Sequence, residues 1–168
     1  EHPDYLVVLT FFSPSGYNPT KNYRQADIVC YLPFDTKRNV RRFLDILNPK
    51  MAFFIKYEFW INFLFGLKKR NVPVYSVSSI FRKEQTFFKP WGGRYRLALH
   101  SFYHLFVQND KSKELLRSIG VTNATVVGDT RFDRVIKILE QARQLPLVDA
   151  FVEGERKVFV VGSSWGED

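Results

Sequence analysis

The chain has 168 residues, 45% of them hydrophobic and 17% aromatic, a composition typical of a globular domain and not of a disordered segment. No apolar run approaches the roughly 18 residues that a membrane-spanning helix needs, and a single cysteine, Cys30, excludes an internal disulfide framework. The net charge of +8, from 25 Lys and Arg against 17 Asp and Glu, favours an anionic partner: phosphates, nucleic acid or an acidic membrane face.

Strand and helix patterns alternate along the chain, which predicts an α/β fold with a parallel sheet covered by helices on both faces. Short apolar runs predict strands at 5–11, 28–32, 51–55, 74–77, 105–108, 125–127 and 158–161. Periodic apolar positions and capping residues predict helices from Thr36 to Leu47, from Trp60 to Lys69, from Asp110 or Ser112 to Ile119, and from Phe132 to Leu145.

The residues from Pro146 onward follow a different pattern. Pro146 to Gly154 reads as a connector, and residues 157–164 read as the strand and turn that open a new βα unit. The chain also begins abruptly, without Met, at a strand. We therefore expect it to be cut from a longer protein, with only the start of a second domain included.

The segment from Lys56 to Trp60 reads Lys-Tyr-Glu-Phe-Trp and follows the strand predicted at 51–55. Residues just past the carboxyl end of a parallel strand fall at the crevice where open α/β sheets bind ligands. Because Glu58 stands between a tyrosine and a Phe-Trp pair, we expect its carboxylate to be poorly solvated and to have a partner or a role. The simpler alternative is a carboxylate that complements the positive end of the following helix.

Two other segments have side chains suited to a sugar or an anion. Ser13-Pro14-Ser15-Gly16 follows the first strand and can present hydroxyl and N–H groups to a ligand, or is an ordinary turn. Residues 80–96 interleave cations with aromatic residues, as nucleic-acid grooves and lipid-docking surfaces do, although a solvated loop with packing aromatics has a similar composition.

Gly128 to Asp133 joins a strand to a helix and predicts Arg131 in the first helical turn, where the helix dipole disfavours a cation. An anionic ligand or an ion pair with Asp133 would offset that cost. Ser163 and Ser164 follow the last predicted strand and are similar in kind to the serines after the first strand.

The sequence predicts neither a metal site nor a bound cofactor. His100 and His104 are four residues apart, but a predicted helix-to-strand break separates them and no third ligand is near. No G-x-G-x-x-G or Walker pattern is present, so a dinucleotide or P-loop site has no support. Cys30 lies in an apolar strand pattern and is expected to be a buried, inert thiol.

Six short segments occur in one order that resembles the 3-deoxy-D-manno-octulosonic acid (Kdo) transferases of lipopolysaccharide biosynthesis, most closely those of Bacteroides-like bacteria. They are Phe12–Tyr17, Tyr31–Asp35, Tyr57–Trp60, Val107–Asn109, Gly128–Asp133 and Ser163–Trp165. The resemblance implies a GT-B glycosyltransferase, with two Rossmann-like domains that face each other across a cleft. Residues 1–145 would be the acceptor-binding domain without its start, 146–156 the interdomain linker, and 157–168 the first strand and turn of the donor domain.

The resemblance also implies the reaction. The family moves Kdo from CMP-Kdo to the lipid A precursor (lipid IVA) with inversion of the anomeric centre, without a metal or cofactor, at the cytoplasmic face of the inner membrane. The expected partners are therefore the lipid A precursor, CMP-Kdo and the inner-membrane surface, and not nucleic acid. The acceptor is a phosphorylated, acylated glucosamine disaccharide, which suits a basic chain.

The family motifs assign candidate residues to two sides of the site. Acceptor-binding residues are expected at Ser13, Ser15, Gly16, Glu58, Trp60 and Arg82, and donor-side residues at Arg131, Ser163 and Ser164. Ile61 and Trp165 stand where the family has Pro and His, Arg131 stands where it has Lys, and Asn62 is retained. The family's general base is a Glu in a Ser-x-Gly-Glu motif upstream of these residues. We therefore expect no catalytic residue in this chain and no Kdo transfer by residues 1–168 alone.

Two alternative functions fit parts of the sequence. One is a nucleic-acid-binding module that uses residues 80–96, and the other is a GT-B transferase for a different nucleotide sugar. A strand at 158–161 with an unpaired edge would also favour self-association of the chain.

Overall fold

The computed structural model describes residues 4–141, 145–152, 157–159 and 161–162. Residue contacts divide the chain into two compact units, Glu1–Asp129 and Thr130–Asp168. No helix in these described ranges is long and apolar enough to cross a membrane.

The first unit alternates strands with helices, as the sequence predicts. The strands are β1 (Val8–Phe11), β2 (Ile28–Tyr31), β3 (Ala52–Ile55), β4 (Val74–Ser79), β5 (His104–Val107) and β6 (Ala124–Val126). The helices are α1 (Pro14–Thr20), α2 (Lys37–Leu47), α3 (Ile61–Lys69), α4 (Gly93–Leu99) and α5 (Asp110–Ser118), with a short 3-10 helix at Thr86–Phe88.

All strand pairs are parallel. Strands β1 and β2 form one pair, in register from Val8 opposite Ile28 to Phe11 opposite Tyr31. Strands β3, β4, β5 and β6 form a second sheet in sequential order. Each connection in this sheet steps to the next strand in the same direction, and crossovers between parallel strands are right-handed as a rule, so the intervening helices are expected on one face.

The core confirms this arrangement. Leu64 of α3, Leu99 of α4 and Leu116 of α5 are fully buried against Leu105 and Val107 of β5. On the opposite face, the β3 side chains Phe53 and Ile55 are 56% and 52% exposed. The predicted parallel sheet flanked by helices is thus confirmed, but within the described residues the helices cover one face of the larger sheet and not both.

Capping interactions set the helix ends. Helix α2 begins as predicted, with the Thr36 hydroxyl accepting the Asn39 N–H at 3.2 Å, and ends at Asn48 in the left-handed conformation. The predicted caps of α5, Asp110 and Ser112, are wrong. The N-cap residue is Asn109, whose side chain accepts the Ser112 N–H. Ser112 turns inward instead, where its hydroxyl accepts the Phe81 N–H at 2.9 Å.

In the second unit, α6 (Arg131–Glu140) and α7 (Pro146–Val152) replace the long helix and the connector that the sequence predicts. Proline is compatible with the first turn of a helix, so Pro146 starts α7 where we expected it to end helical structure. The predicted strand at 158–161 is also wrong in its described part, since Val158, Phe159 and Val161 are not in a strand. Residue 160 and the Ser163–Ser164 pair lie outside the described residues, and the assignment of domains and linker stays a prediction.

Candidate functional site

The loop that contains Glu58 connects β3 to α3 at the carboxyl edge of the larger sheet. Lys56 continues the strand pairing through its N–H, which donates to the Val77 carbonyl at 2.8 Å, and then takes a left-handed φ of 62°. That conformation is uncommon for a residue with a side chain and turns the chain sharply out of the sheet. Tyr57, Glu58, Phe59 and Trp60 line an open concavity of about 340 Å³.

Within this loop Trp60 and Glu58 hydrogen-bond to each other. The indole N–H of Trp60 donates to Glu58 Oε2 at 2.5 Å, while the Trp60 ring is half-buried against the core. Glu58 itself is exposed, so the prediction of a poorly solvated carboxylate is wrong. The reason is that Phe59 and Trp60 turn their rings inward, and Glu58 and Tyr57 are left on the outer side of the turn.

The serine loop lies next to the Glu58 loop through an aromatic contact. Phe12, at the end of β1, contacts Trp60 with ring centroids 4.6 Å apart and Phe34 with centroids 5.7 Å apart. Ser13 and Ser15 follow immediately, and their exposed hydroxyl oxygens are 2.9 Å apart. The structure therefore brings the predicted acceptor residues at the ends of β1 and β3 to the same edge of the first unit.

The serine loop is helical and not an ordinary turn. Ser13 occupies the N-cap position of α1, and Pro14 takes the first helical position, where its missing N–H costs nothing. Gly16 lies so close to the Phe11 ring that a Cβ would approach Cδ1 to 2.6 Å. Gly16 therefore has a packing role, which allows α1 to lie against β1.

Asp35 holds the start of α3 from a distant part of the sequence. Its carboxylate accepts the N–H groups of Asn62 and Phe63, both at 3.0 Å, and its carbonyl accepts the Asn62 side-chain amide. Arg94 of α4 donates to Asn62 Oδ1 at 3.3 Å. The first turn of α3 is thus fixed from two sides, directly beside Trp60 and the Glu58 concavity.

Arg82 lies on the next loop along the edge, after β4. The preceding residue, Phe81, is buried, and its ring centroid is 5.4 Å from that of Phe59. The Phe87 ring contacts both, with its centroid 5.0 Å from that of Phe59 and 5.9 Å from that of Phe81. The loops that present Glu58 and Arg82 therefore stand on one aromatic cluster.

The cation-aromatic segment 80–96 divides into two sets of residues. Phe81 and Phe87 are buried in the core, as the alternative of simple packing aromatics predicts. Trp91 is 75% exposed, and Tyr95 and Arg94 are exposed as well. Arg96 faces inward and donates to the carbonyls of Phe87 and Lys89, so this cation holds the segment in shape.

The donor-side predictions are located only in part. Arg131 is the first residue of α6, as predicted, with Thr130 at the N-cap position. Ser163 and Ser164 lie outside the described residues. The roles of all donor-side residues stay predictions.

Sequence reasoning did not assign roles to three residues near the site. Asp35 belongs to a motif that we quoted for the resemblance, but its capping of α3 spans 27 residues and is invisible to local patterns. Lys83 and Lys111 line a second concavity with Arg82, although they lie in separate parts of the sequence. The first-turn position of Lys111 in α5 was the available signal, because a cation there opposes the helix dipole.

A parallel α/β unit with candidate ligand residues gathered at the carboxyl edge of its strands fits a Rossmann-like domain of the GT-B-like fold class. Solved structures show the same fold. A UDP-GlcNAc 2-epimerase from Neisseria meningitidis, bound to UDP-GlcNAc, matches 81% of this chain and 42% of its own with a TM-score of 0.56 and 17% identity. A structure described as a UDP-N-acetylglucosamine 2-epimerase from Listeria monocytogenes matches 88% of this chain and 43% of its own, with a TM-score of 0.60 and 12% identity. At these identities the likeness shows the fold alone.

The chain belongs to the 3-deoxy-D-manno-octulosonic-acid transferase (kdotransferase) family, whose model matches residues 1–134. A 3-deoxy-D-manno-octulosonic acid transferase from Bordetella pertussis is 30% identical over 104 residues, which cover 61% of this chain and 24% of that protein. The corresponding transferase from Haemophilus influenzae is 28% identical over 74 residues, which cover 44% of this chain and 17% of that protein. The predicted family is thereby confirmed.

A third relative has a broader name. The bifunctional glycosyltransferase/methyltransferase of Fusobacterium nucleatum subsp. nucleatum is 24% identical over 169 residues, covering 96% of this chain and 26% of that protein. The chain thus spans about a quarter or less of the length of these relatives.

Proposed function

We propose that this chain supplies the acceptor side of a glycosyltransferase that moves Kdo from CMP-Kdo to the lipid A precursor. The family match supports the transferase class. The observation that carries the acceptor assignment is the Glu58–Trp60 pair, which lines an open concavity at the carboxyl edge of the sheet. In folds of this kind that edge is where ligands bind.

In this proposal Glu58 binds the acceptor and is not the general base. An exposed carboxylate whose orientation is fixed by the Trp60 N–H can accept hydrogen bonds from sugar hydroxyls. The solvent-facing part of the half-buried Trp60 ring offers an apolar surface for a sugar face. The proton of the attacking hydroxyl would pass to a base elsewhere in the full-length enzyme, and inversion at the Kdo anomeric centre would follow from a single displacement.

Other parts of the proposal rest on the same family. Arg131, Ser163 and Ser164 would contact the CMP-Kdo donor, with no metal or cofactor needed for the transfer. The enzyme would work at the cytoplasmic face of the inner membrane, where its lipid acceptor is found. The exposed aromatic and cationic residues Trp91, Tyr95 and Arg94 support contact with that surface, because amphipathic rings and cations favour the headgroup region.

The test is Kdo transfer from CMP-Kdo to lipid IVA by the full-length protein, with Glu58→Gln compared against Glu114→Gln. Glu114 is an exposed carboxylate on α5, away from the concavity. Loss of a charge-assisted hydrogen bond to the acceptor should raise the KM for lipid IVA about tenfold and change kcat less. Glu114→Gln should match the unmodified enzyme.

Two results would contradict the proposal. The first is that the unmodified full-length protein transfers no Kdo but does transfer the sugar of a different nucleotide sugar, which would show that CMP-Kdo is not the donor. A fall in kcat of about a thousandfold or more for Glu58→Gln, with an unchanged KM for lipid IVA, would instead make Glu58 a group that acts on the reacting atoms.

A further inference from the structure

A second concavity, of about 220 Å³, lies between the loop after β4 and the start of α5. Its charged lining consists of three cations, Arg82, Lys83 and Lys111, and one carboxylate, Glu84. All four side chains are exposed to solvent. Nothing in the family match or in the names of the relatives assigns a ligand to this concavity.

The floor of this concavity is rigid. Ser112, fully buried, accepts the Phe81 N–H at 2.9 Å and has its own hydroxyl 2.9 Å from Asn109 Oδ1. The loop beyond Phe81 is closed by a reciprocal pair of bonds, in which Arg82 N–H donates to Gln85 Oε1 at 2.9 Å and Gln85 N–H donates to the Arg82 carbonyl at 3.0 Å. The backbone that carries the cations is therefore held in place before any ligand binds, which lowers the entropic cost of binding.

The three cations are placed at an electrostatic cost. Arg82 and Lys83 are neighbours in sequence, and Lys111 faces the same concavity from the first turn of α5, where a cation opposes the helix dipole. Asp110 in the same turn and Glu84 on the rim offset part of this repulsion. A bound anion with several acceptor oxygens would offset the rest, as phosphate does in clusters of Arg and Lys.

The concavity also stands beside the Glu58 concavity along the same sheet edge. Phe59 lines the Glu58 concavity and Phe81 lines the cationic one, and the two ring centroids are 5.4 Å apart. A ligand with a sugar hydroxyl at one end and a phosphate at the other can therefore span two sites that are built on one aromatic cluster.

We propose that Arg82, Lys83 and Lys111 form a phosphomonoester site, which binds a phosphate group of the sugar acceptor while the Glu58 concavity binds its hydroxyls. This inference rests on the proposed function for the identity of the acceptor. The phosphate site itself rests only on the concavity, its rigid floor and its cations.

The experiment titrates the 168-residue chain with glucosamine 1-phosphate, inorganic phosphate and glucosamine, and follows backbone amides by two-dimensional NMR. Both phosphates should shift the amides of 80–84 and 109–111, and glucosamine, which has no phosphate group, should not shift them. Arg82→Gln and Lys111→Gln should each weaken glucosamine 1-phosphate binding about threefold to tenfold. Lys113→Gln removes an exposed cation of the same helix outside the concavity, and should leave the affinity unchanged.

Several outcomes would overturn the site. Equal effects of Lys111→Gln and Lys113→Gln, or shifts spread over all cationic surfaces, would mean nonspecific screening of charge. Tighter binding of a single-stranded oligonucleotide than of glucosamine 1-phosphate, at the same residues, would mean a nucleic-acid surface. These measurements use no CMP-Kdo, so a failure of Kdo transfer with phosphate binding intact would reject the proposed function and leave the phosphate site standing.

Discussion

The Asp35 carboxylate accepts the backbone N–H of Asn62 at 3.0 Å, although 27 residues separate the two in sequence. A second oxygen of the same carboxylate accepts the next N–H, that of Phe63, at 3.0 Å. Helix α3 therefore begins with a cap from outside its own sequence, because Trp60 at its N-cap position makes no side-chain cap. This relationship joins the segment after β2 to the loop that presents Glu58.

We predict that Asp35→Ala lowers the free energy of unfolding by about 1–3 kcal/mol, since two helix N–H groups lose a charged acceptor. Asp45→Asn provides the control. Asp45 is an exposed aspartate whose hydrogen-bonded ion pair is with Arg70, and its loss should cost less than about 1 kcal/mol. Urea unfolding followed by circular dichroism measures both, and equal losses would show that Asp35 is only another surface charge.

Adjacent glycines give a second prediction. At Gly92 an added Cβ would come within 1.9 Å of the Thr86 carbonyl oxygen, whereas at Gly93 the nearest atom would be the Arg96 guanidinium at 3.9 Å. Gly92→Ala must displace the backbone of the segment 86–92 and should destabilise the protein by about 2 kcal/mol or more. Gly93→Ala lies at the first position of α4 and should be neutral or slightly stabilising. Thermal unfolding of the two variants compares them directly, and a neutral Gly92→Ala would contradict the packing described here.

The sequence predicted most of the alternation because most elements have a local signal, although it did not predict α1 (Pro14–Thr20) or α4 (Gly93–Leu99). Thr36 and Asn48 mark the ends of α2 through caps that lie within a few residues of the helix. The strands of the first unit were predicted to within a few residues because continuous apolar runs identify buried strands. The family resemblance rested on short motifs at the strand ends, and the structure brings three of them, Phe12–Tyr17, Tyr31–Asp35 and Tyr57–Trp60, close together.

The errors concern which side chains face the core. Ser112 was predicted as a cap of α5, but it turns inward toward Phe81, which is 31 residues away. Glu58 was expected to be shielded by its aromatic neighbours, but the turn at Lys56 sends Phe59 and Trp60 to the core and leaves Glu58 outside. Local composition does not determine which side of a turn faces the core, so neither outcome could be read from the sequence.

The buried hydroxyl of Ser112 should matter for both stability and phosphate binding. Ser112→Ala leaves the Phe81 N–H without its acceptor in a buried place, which should cost about 1–3 kcal/mol. The loosened loop should also weaken glucosamine 1-phosphate binding, measured by the same NMR titration. Ser118→Ala, on the exposed end of α5, removes a hydroxyl that bonds only within the helix and should change neither quantity. Full affinity in a destabilised Ser112→Ala would show that loop rigidity does not contribute to the site.

The hydrogen bond between Trp60 and Glu58 can be removed with little change in packing. Trp60→Phe keeps an aromatic ring against Phe12 but deletes the indole N–H that orients Glu58. We expect a higher KM for lipid IVA in the full-length enzyme, about threefold to tenfold, and a destabilisation of about 1–2 kcal/mol. Trp91→Phe, at a ring that is 75% exposed, should leave stability unchanged. An unaltered KM in Trp60→Phe would show that Glu58 needs no orienting partner.

The one cysteine allows a prediction about pH. Burial raises the pKa of the Cys30 thiol above its ordinary value, so the folded state disfavours the thiolate more than the unfolded state does. The unfolding free energy should therefore be unaffected by Cys30 below the thiol's unfolded-state pKa and should fall as the pH rises through the folded-state pKa. At pH 8 the folded chain should react with a disulfide reagent more slowly than the urea-unfolded chain. Cys30→Ala should remove the part of the alkaline stability loss that belongs to this thiol. The structure has Cys30 only partly buried and not fully buried as the sequence predicted, and equal reaction rates in the folded and unfolded chain would contradict that partial burial.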